Sequence, residues 1–326
     1  MKKTKKILII RLGAIGDVVF TTIMPYSIKL KHPDYEIHYL VQGGIGELLQ
    51  NNQYIDKIYQ LDRQKQKSFV YMFNLARELY KEKYDIIFNL NNTIKSNFLS
   101  IFSMPSKIIH KKKSKAHWVD DFFYTAKKVF PDIINPNRLY LGIEENLDKS
   151  LCDFLNNYPK PHVFIAPGGA TDKNRAGRTW KIEYWQDLND KILNKYGGTI
   201  FVCGNKQELD AHKVLERPGV IILTGKYSLK ESSALFSHAD IFISGDTGPI
   251  HIASAHNIKT LALLGSTSPD KIKPYGENGY WISSEFECKF CWNKQCKFLN
   301  TRGGFTPCME NLKPDAVLKK IETILK

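Results

Sequence analysis

The chain has 326 residues, and 47 Lys and Arg against 33 Asp and Glu leave a net charge of +14. With 43% hydrophobic and 25% charged residues this is a globular composition, long enough for two domains and far from that of a disordered chain. No apolar run reaches the ~18 residues of a membrane span, and Arg11 and Asp17 interrupt the apolar stretch behind the basic start Met1–Lys6, so no signal peptide and a cytoplasmic location are expected. The excess positive charge points to an anionic partner, or to a lysine-rich solvated surface.

In chain order, Ile7–Ile10 reads as a buried parallel strand: short, apolar and β-branched. Gly13 and Gly16 allow a tight turn, and a helix is expected at about Val18–Lys31, with Pro25 bending it or marking an irregular start. Strands are expected at Tyr35–Val41, Lys57–Leu61, Asp85–Leu90 and Lys107–His110. Helices are expected at Gly44–Asn51, Phe69–Lys83, Lys95–Phe102 and His117–Val129. Residues 142–161 are polar and end in Tyr158-Pro-Lys-Pro161, which reads as a linker, with domains at 1–157 and 158–311. A second alternation then begins. Its strands are Val163–Ala166, Thr199–Cys203, Val220–Leu223, Ile241–Ser244 and Thr260–Leu264, and its helices lie near Glu183–Tyr196, Gln207–Leu215, Leu229–His238 and Gly248–His256. Residues 275–310 lose periodicity, and 312–326 reads as a terminal amphipathic helix that crosses back to the first domain. Strand–helix alternation of this kind implies parallel sheets covered on both faces.

Three loops follow strands at the edge where open α/β sheets bind ligands. The first, Gly13-Ala-Ile-Gly16, lacks the third glycine of a dinucleotide fingerprint, since Val19 stands there. Gln42 and Gly43 also replace the ribose-binding acid, which counts against an oxidoreductase. Asp17 beside it is either a helix cap or a carboxylate presented to a ligand. The second, Ser244-Gly-Asp-Thr-Gly-Pro-Ile-His251, brings Asp246, Thr247 and Gly248 to a helix start, where free N–H groups bind phosphate, with His251 on the first turn. A capped helix with an incidental His is the other reading. The third is Pro167-Gly168-Gly169-Ala170, followed by Lys173, Arg175 and Arg178, cations able to neutralise a diphosphate or to line an exposed loop.

This arrangement resembles glycosyltransferase family 9, the heptosyltransferases of lipopolysaccharide core assembly. The likeness rests on Arg-Leu-Gly-Ala-Ile-Gly-Asp17, Lys95-Ser96, Pro167-Gly-Gly before Arg-Thr-Trp180, and Ser-Gly-Asp-Thr-Gly-Pro-Ile-His251 followed by Gly265-Ser-Thr-Ser-Pro269. Arg178 stands where the family usually has Lys, Lys181 where it has Pro, and Asn89 where an acid is common. The resemblance implies a GT-B fold: two Rossmann-like, doubly wound parallel-sheet domains facing across a cleft. It implies an inverting, metal-independent transfer of heptose or a related sugar, from a nucleotide donor such as ADP-heptose to an inner-core lipopolysaccharide acceptor at the inner face of the membrane. By position, Asp17 is then the general base. Arg178, Asp246, Thr247, Gly248, His251, Gly168 and Gly169 bind the donor, and Gly16, Lys95 and Ser96 the acceptor.

Two features stand apart. Cys288, Cys291, Cys296 and Cys308 begin with a Cys-x-x-Cys pair and suit a structural zinc, or are free thiols. Cys152 and Cys203 read as buried small side chains. His110-Lys-Lys-Lys-Ser-Lys-Ala-His117 is either a solvated turn or a surface for an acidic acceptor or anionic lipid heads. It has too few aromatics for nucleic acid.

Overall fold

A computed structural model describes residues 5–111, 114–168, 178–292, 296, 298 and 305–326. Two compact units result, Met1–Gly142 and Ile143–Lys326.

The first unit carries β1 (Lys6–Arg11), α1 (Ile15–Thr21), α2 (Ile23–Lys31), β2 (Glu36–Gln42), β3 (Lys57–Leu61), α3 (Phe69–Lys81), β4 (Ile86–Asn89), α4 (Ile94–Phe102), β5 (Lys107–His110) and α5 (Trp118–Lys127). Its five strands are parallel in the order β3-β2-β1-β4-β5. Leu8, Ile10, Leu40 and Ile87 face α3 and α4, where Met72, Leu75, Leu79 and Leu99 meet them. The opposite face is covered by α1, α2 and α5. There the Tyr39 hydroxyl meets Thr21, and Phe20 packs edge-on against His117 and Trp118. The expected single bent helix is two helices broken at Thr22. Pro25 has no N–H for the Thr21 carbonyl four residues back, so the ladder fails at that point.

The second unit carries α6 (Glu145–Leu155), β6 (His162–Ala166), α7 (Ile182–Tyr196), β7 (Thr199–Val202), α8 (Leu209–Lys213), β8 (Val220–Ile222), α9 (Leu229–Phe236), β9 (Ile241–Gly245), α10 (Gly248–Ala255), β10 (Thr260–Leu263), α11 (Pro269–Ile272), β11 (Gly279–Ile282), α12 (Pro307–Glu310) and α13 (Pro314–Leu325). Its six parallel strands run β8-β7-β6-β9-β10-β11, the dinucleotide-fold order. Phe164, Phe201, Phe236 and Phe242 form an aromatic layer on one face, in stacked, edge-on and tilted pairs. Trp185, Leu188 and Ile192 of α7 fill the other.

Three expectations change. The polar stretch read as a linker contains α6, whose Leu151 and Leu155 are buried, and which belongs to the second unit with α9. A helix with two buried leucines in eleven residues looks like linker until its partner is known. The aperiodic segment contains β11, a four-residue edge strand with too few residues to show a period. The terminal helix does not cross back: Val317, Ile321 and Ile324 share a core with α7, and the Trp180 indole donates to the Leu312 carbonyl at 2.7 Å. Among the described residues no helix is long and apolar enough to cross a membrane.

Candidate active site

Each sheet changes direction of strand order once, between β1 and β4 in the first unit and between β6 and β9 in the second. Adjacent loops diverge at such a point and leave a crevice at the carboxyl ends of the strands. The three loops singled out above follow β1, β6 and β9.

In the first unit Asp17 is the third residue of α1. It does not cap the helix: Ala14 holds the N-cap position and no side chain bonds there. The carboxylate instead pairs with Arg11 at 2.6 Å. Arg11, at the end of β1, also donates to the Leu90 carbonyl at 2.9 Å and lies over the Phe122 ring. The Leu12 N–H donates to Asn91 at 2.6 Å, so the β1 and β4 loops are tied together beneath Asp17. Gly16 is buried within α1. Lys95 donates to Gln66 at 3.0 Å. Ser96 is buried, and its hydroxyl closes the capping box of α4 with Thr93, so its geometry is that of a cap.

In the second unit Asp246 and Arg178 meet at 3.1 Å, and His251 reaches the same carboxylate at 3.5 Å. Burial opposes ionisation of Asp246, but the His251 hydrogen bond and the Arg178 charge outweigh it and hold the carboxyl below its usual range. Thr247 occupies the N-cap position of α10 without a capping bond, and its hydroxyl pairs with Ser244, which donates to the Ala166 carbonyl. The first-turn N–H groups of α10 therefore lack a side-chain cap, as an anion site needs. Gly168 has φ of 78°, and its open side lies against the Thr247 methyl. Gly169 lies outside the described residues, as do Lys112 and Lys113 of the basic run.

Two residues of this site carried no role in the sequence reading. Arg11 opens the motif that ends at Asp17, and only the fold turns its side chain back onto that carboxylate. At Gly245 a side chain would run into the Arg178 carbonyl, so glycine lets the Arg178 backbone approach β9.

The four late cysteines fall in one segment, and burial pushes the Cys308 thiol up. Among the described residues the only three metal-capable side chains with ligand atoms within 4.8 Å of one another are Glu36, His38 and Glu82. Those lie at the opposite, amino edge of the first sheet. Lys6 at 2.7 Å and Lys57 at 2.6 Å already neutralise Glu82 there. Cys203 is buried as expected, and Cys152 is half-buried.

Residues 102–302 match the family model for glycosyltransferase family 9 (heptosyltransferase). The chain belongs to glycosyltransferase family 9. As a family 9 member it is a glycosyltransferase, not a dinucleotide-dependent oxidoreductase. Lipopolysaccharide heptosyltransferase 1 of Campylobacter coli is 25% identical across 80% of this chain and 84% of its own. The solved family 9 glycosyltransferase of Veillonella parvula superposes with a TM-score of 0.85, at 18% identity, covering 100% of this chain and 98% of that one. The solved ADP-heptose lps heptosyltransferase II of E. coli gives 0.79 at 17% identity, covering 98% of both chains. The fold of this family 9 enzyme is GT-B, with two parallel-sheet α/β units.

Proposed function

We propose that this enzyme is an inverting heptosyltransferase that moves heptose from ADP-heptose to a hydroxyl of an inner-core lipopolysaccharide acceptor. The observation that carries this reading is Asp17: a carboxylate at a switch point, released from capping and aimed by Arg11. The names of the relatives support the sugar and the acceptor. Asp17 removes the acceptor proton as that oxygen attacks the anomeric carbon. The bond from that carbon to the donor oxygen breaks, and its electron pair leaves on the diphosphate. Arg178 and the N–H groups at Thr247 and Gly248 stabilise the departing charge, an arrangement worth several kcal/mol in comparable sites, about 3 for one donor. Asp246 and His251 hold Arg178 in place, and Gly168 turns the loop after β6 toward the phosphates; Gly169 is proposed for the same loop from its sequence position. Gly16 leaves room beside Asp17 for the acceptor, and Lys95, with Ser96 fixing the start of α4, contacts it. The enzyme works on the cytoplasmic side, where the nucleotide donor is made.

The test is a thermal-shift and transfer panel over ADP-heptose, other nucleotide sugars and ADP alone, with de-heptosylated core as acceptor. Stabilisation by ADP-heptose with transfer to that core is the expected result. Transfer only from another sugar nucleotide places the enzyme elsewhere in the family.

We further infer that Cys288, Cys291, Cys296 and Cys308 bind a structural zinc, on the Cys-x-x-Cys pair and two further thiols that the segment supplies. Elemental analysis of protein purified without chelator should give about one zinc per chain, lost in Cys291→Ser. A metal-free preparation with full stability sinks the idea.

A further inference from the structure

Among the described residues fourteen large hydrophobic side chains are exposed, and eight of them fall between Phe69 and Met104. They make a continuous face. On α3, Phe69, Val70 and Phe73 turn outward while Met72, Leu75 and Leu79 pack on the sheet. On α4, Ile94, Ile101 and Phe102 turn outward above buried Leu99, and Met104 follows in the next turn. Exposure runs from 48% at Phe73 to 90% at Ile94. Ring contacts join the two helices: Phe69 with Phe73 at 6.3 Å, Phe69 with Phe98 at 6.2 Å and Phe98 with Phe102 at 4.4 Å. Single exposed apolar residues are ordinary, whereas a contiguous aromatic patch across two helices is a contact surface.

The rim of this face is cationic. Arg63, Lys65 and Lys67 are exposed just before α3, Arg77 and Lys81 along it, and Lys107 beyond α4. Glu78 is an exposed carboxylate on α3. A second copy of this chain applied to the same face by two-fold symmetry would bring lysine against lysine. An anionic bilayer answers both features, with lipid phosphates at the rim and the acyl boundary for the rings.

We propose that the α3–α4 face docks on an anionic phospholipid membrane, with Phe69, Val70, Phe73, Ile101 and Phe102 entering the headgroup boundary. The start of α4 lies at the carboxyl edge of the sheet, and the loop before it is bonded to the loop bearing Asp17. Docking through this face therefore sets the Asp17 edge beside the lipid surface, where the sugars of a lipid-anchored acceptor lie. Membrane binding through this face goes beyond the reading of donor and acceptor and holds or fails independently of it.

The experiment is co-sedimentation of the full chain with vesicles of phosphatidylglycerol and phosphatidylcholine in equal parts, against phosphatidylcholine alone, with thermal melting as the check on folding. The wild type should bind the mixed vesicles at least about tenfold more tightly than the neutral ones. The triple variant Phe69→Ser, Ile101→Ser, Phe102→Ser should lose about tenfold or more on mixed vesicles. Lys65→Glu with Lys67→Glu and Lys107→Glu, which leaves the apolar face intact, should lose a comparable factor, and added salt should mimic it. Wild-type protein that ignores anionic vesicles overturns the proposal, as does unchanged binding by both variants. A wild-type dimer in sedimentation equilibrium that the serine variant converts to monomer, with vesicle binding unaffected, assigns the face to a second copy instead.

Discussion

Asp17 and Arg11 form a unit whose parts are separable by mutation. Asp17→Asn keeps the shape and a hydrogen-bonding oxygen for Arg11, so the fold should survive with a small drop in melting temperature. An amide cannot take the acceptor proton, and turnover in a single-turnover transfer assay should fall by at least about two orders of magnitude. Near-normal transfer would remove Asp17 from the chemistry. Across the second sheet, Thr247→Val deletes a hydroxyl that lies beside the uncapped α10 N-terminus. Donor affinity measured by calorimetry should weaken by about 1–3 kcal/mol, with acceptor affinity unchanged. Equal losses for both ligands would place the loop elsewhere. Of these residues, Asp17, Asp246 and Thr247 stand out in the sequence as polar groups just past a strand, while Arg178 stands out only as one cation of a basic loop and His251 as a histidine on a helix's first turn. The engagement of Ser96 in a capping box is not legible there, because a cap and a ligand-binding hydroxyl are the same residue at the same place in a sequence.

At the scale of elements, α13 and the buried histidines give the sharpest expectations. Ile321 is buried in the core that α13 shares with α7. Ile321→Ala should cost about 2–5 kcal/mol, read by chemical denaturation, since a cavity adds to the lost transfer energy. Little change would mean that α13 is marginal to that core. Burial lowers the pKa of His38, His212 and His256, the last to about 4, where its ring bonds Ser233 on α9. A histidine with a depressed folded pKa binds its proton more readily when unfolded. Its stabilising neutral state is complete above pH ~6.5, the unfolded value, and stability declines as pH falls through the window toward 4. Melting temperature should therefore drop by several degrees between pH 7 and 4.5, and His256→Gln should flatten that slope. A profile flat in wild type would contradict the burial that sets it. The linker reading of 142–161 and the aperiodic reading of 275–310 failed for one reason: α6 and β11 are defined by what they pack against, with two buried leucines and a four-residue edge pairing respectively.

At the scale of the molecule, each unit builds its own sheet and core, so a ligand of one sheet's loops acts first on that unit. ADP at about a hundredfold excess over its Kd should add about 2.7 kcal/mol to the unit that binds it. Amide exchange should then slow around Gly168 and Ser244–Gly248 and stay unchanged around Gly13–Asp17. Protection centred on Gly13–Asp17 would reverse the roles of the two units.

The sequence by itself determined the class of fold and which loops stand at the strand ends. Runs such as Ile7–Ile10, Val163–Ala166 and Ile241–Ser244 are too apolar to be anything but buried strands, and glycines or acids at their ends mark the loops that a parallel sheet gathers on one edge. Those are local properties, carried by a few neighbouring residues. Only the tertiary structure decided that Arg11 holds Asp17, that Arg178 and His251 converge on Asp246, that α13 stays with the second unit, and that α3 and α4 leave an aromatic face in solvent. Each of those depends on the direction of a side chain or on the face of a helix that finds a partner. Residues far apart in the chain set both, and no local window contains them.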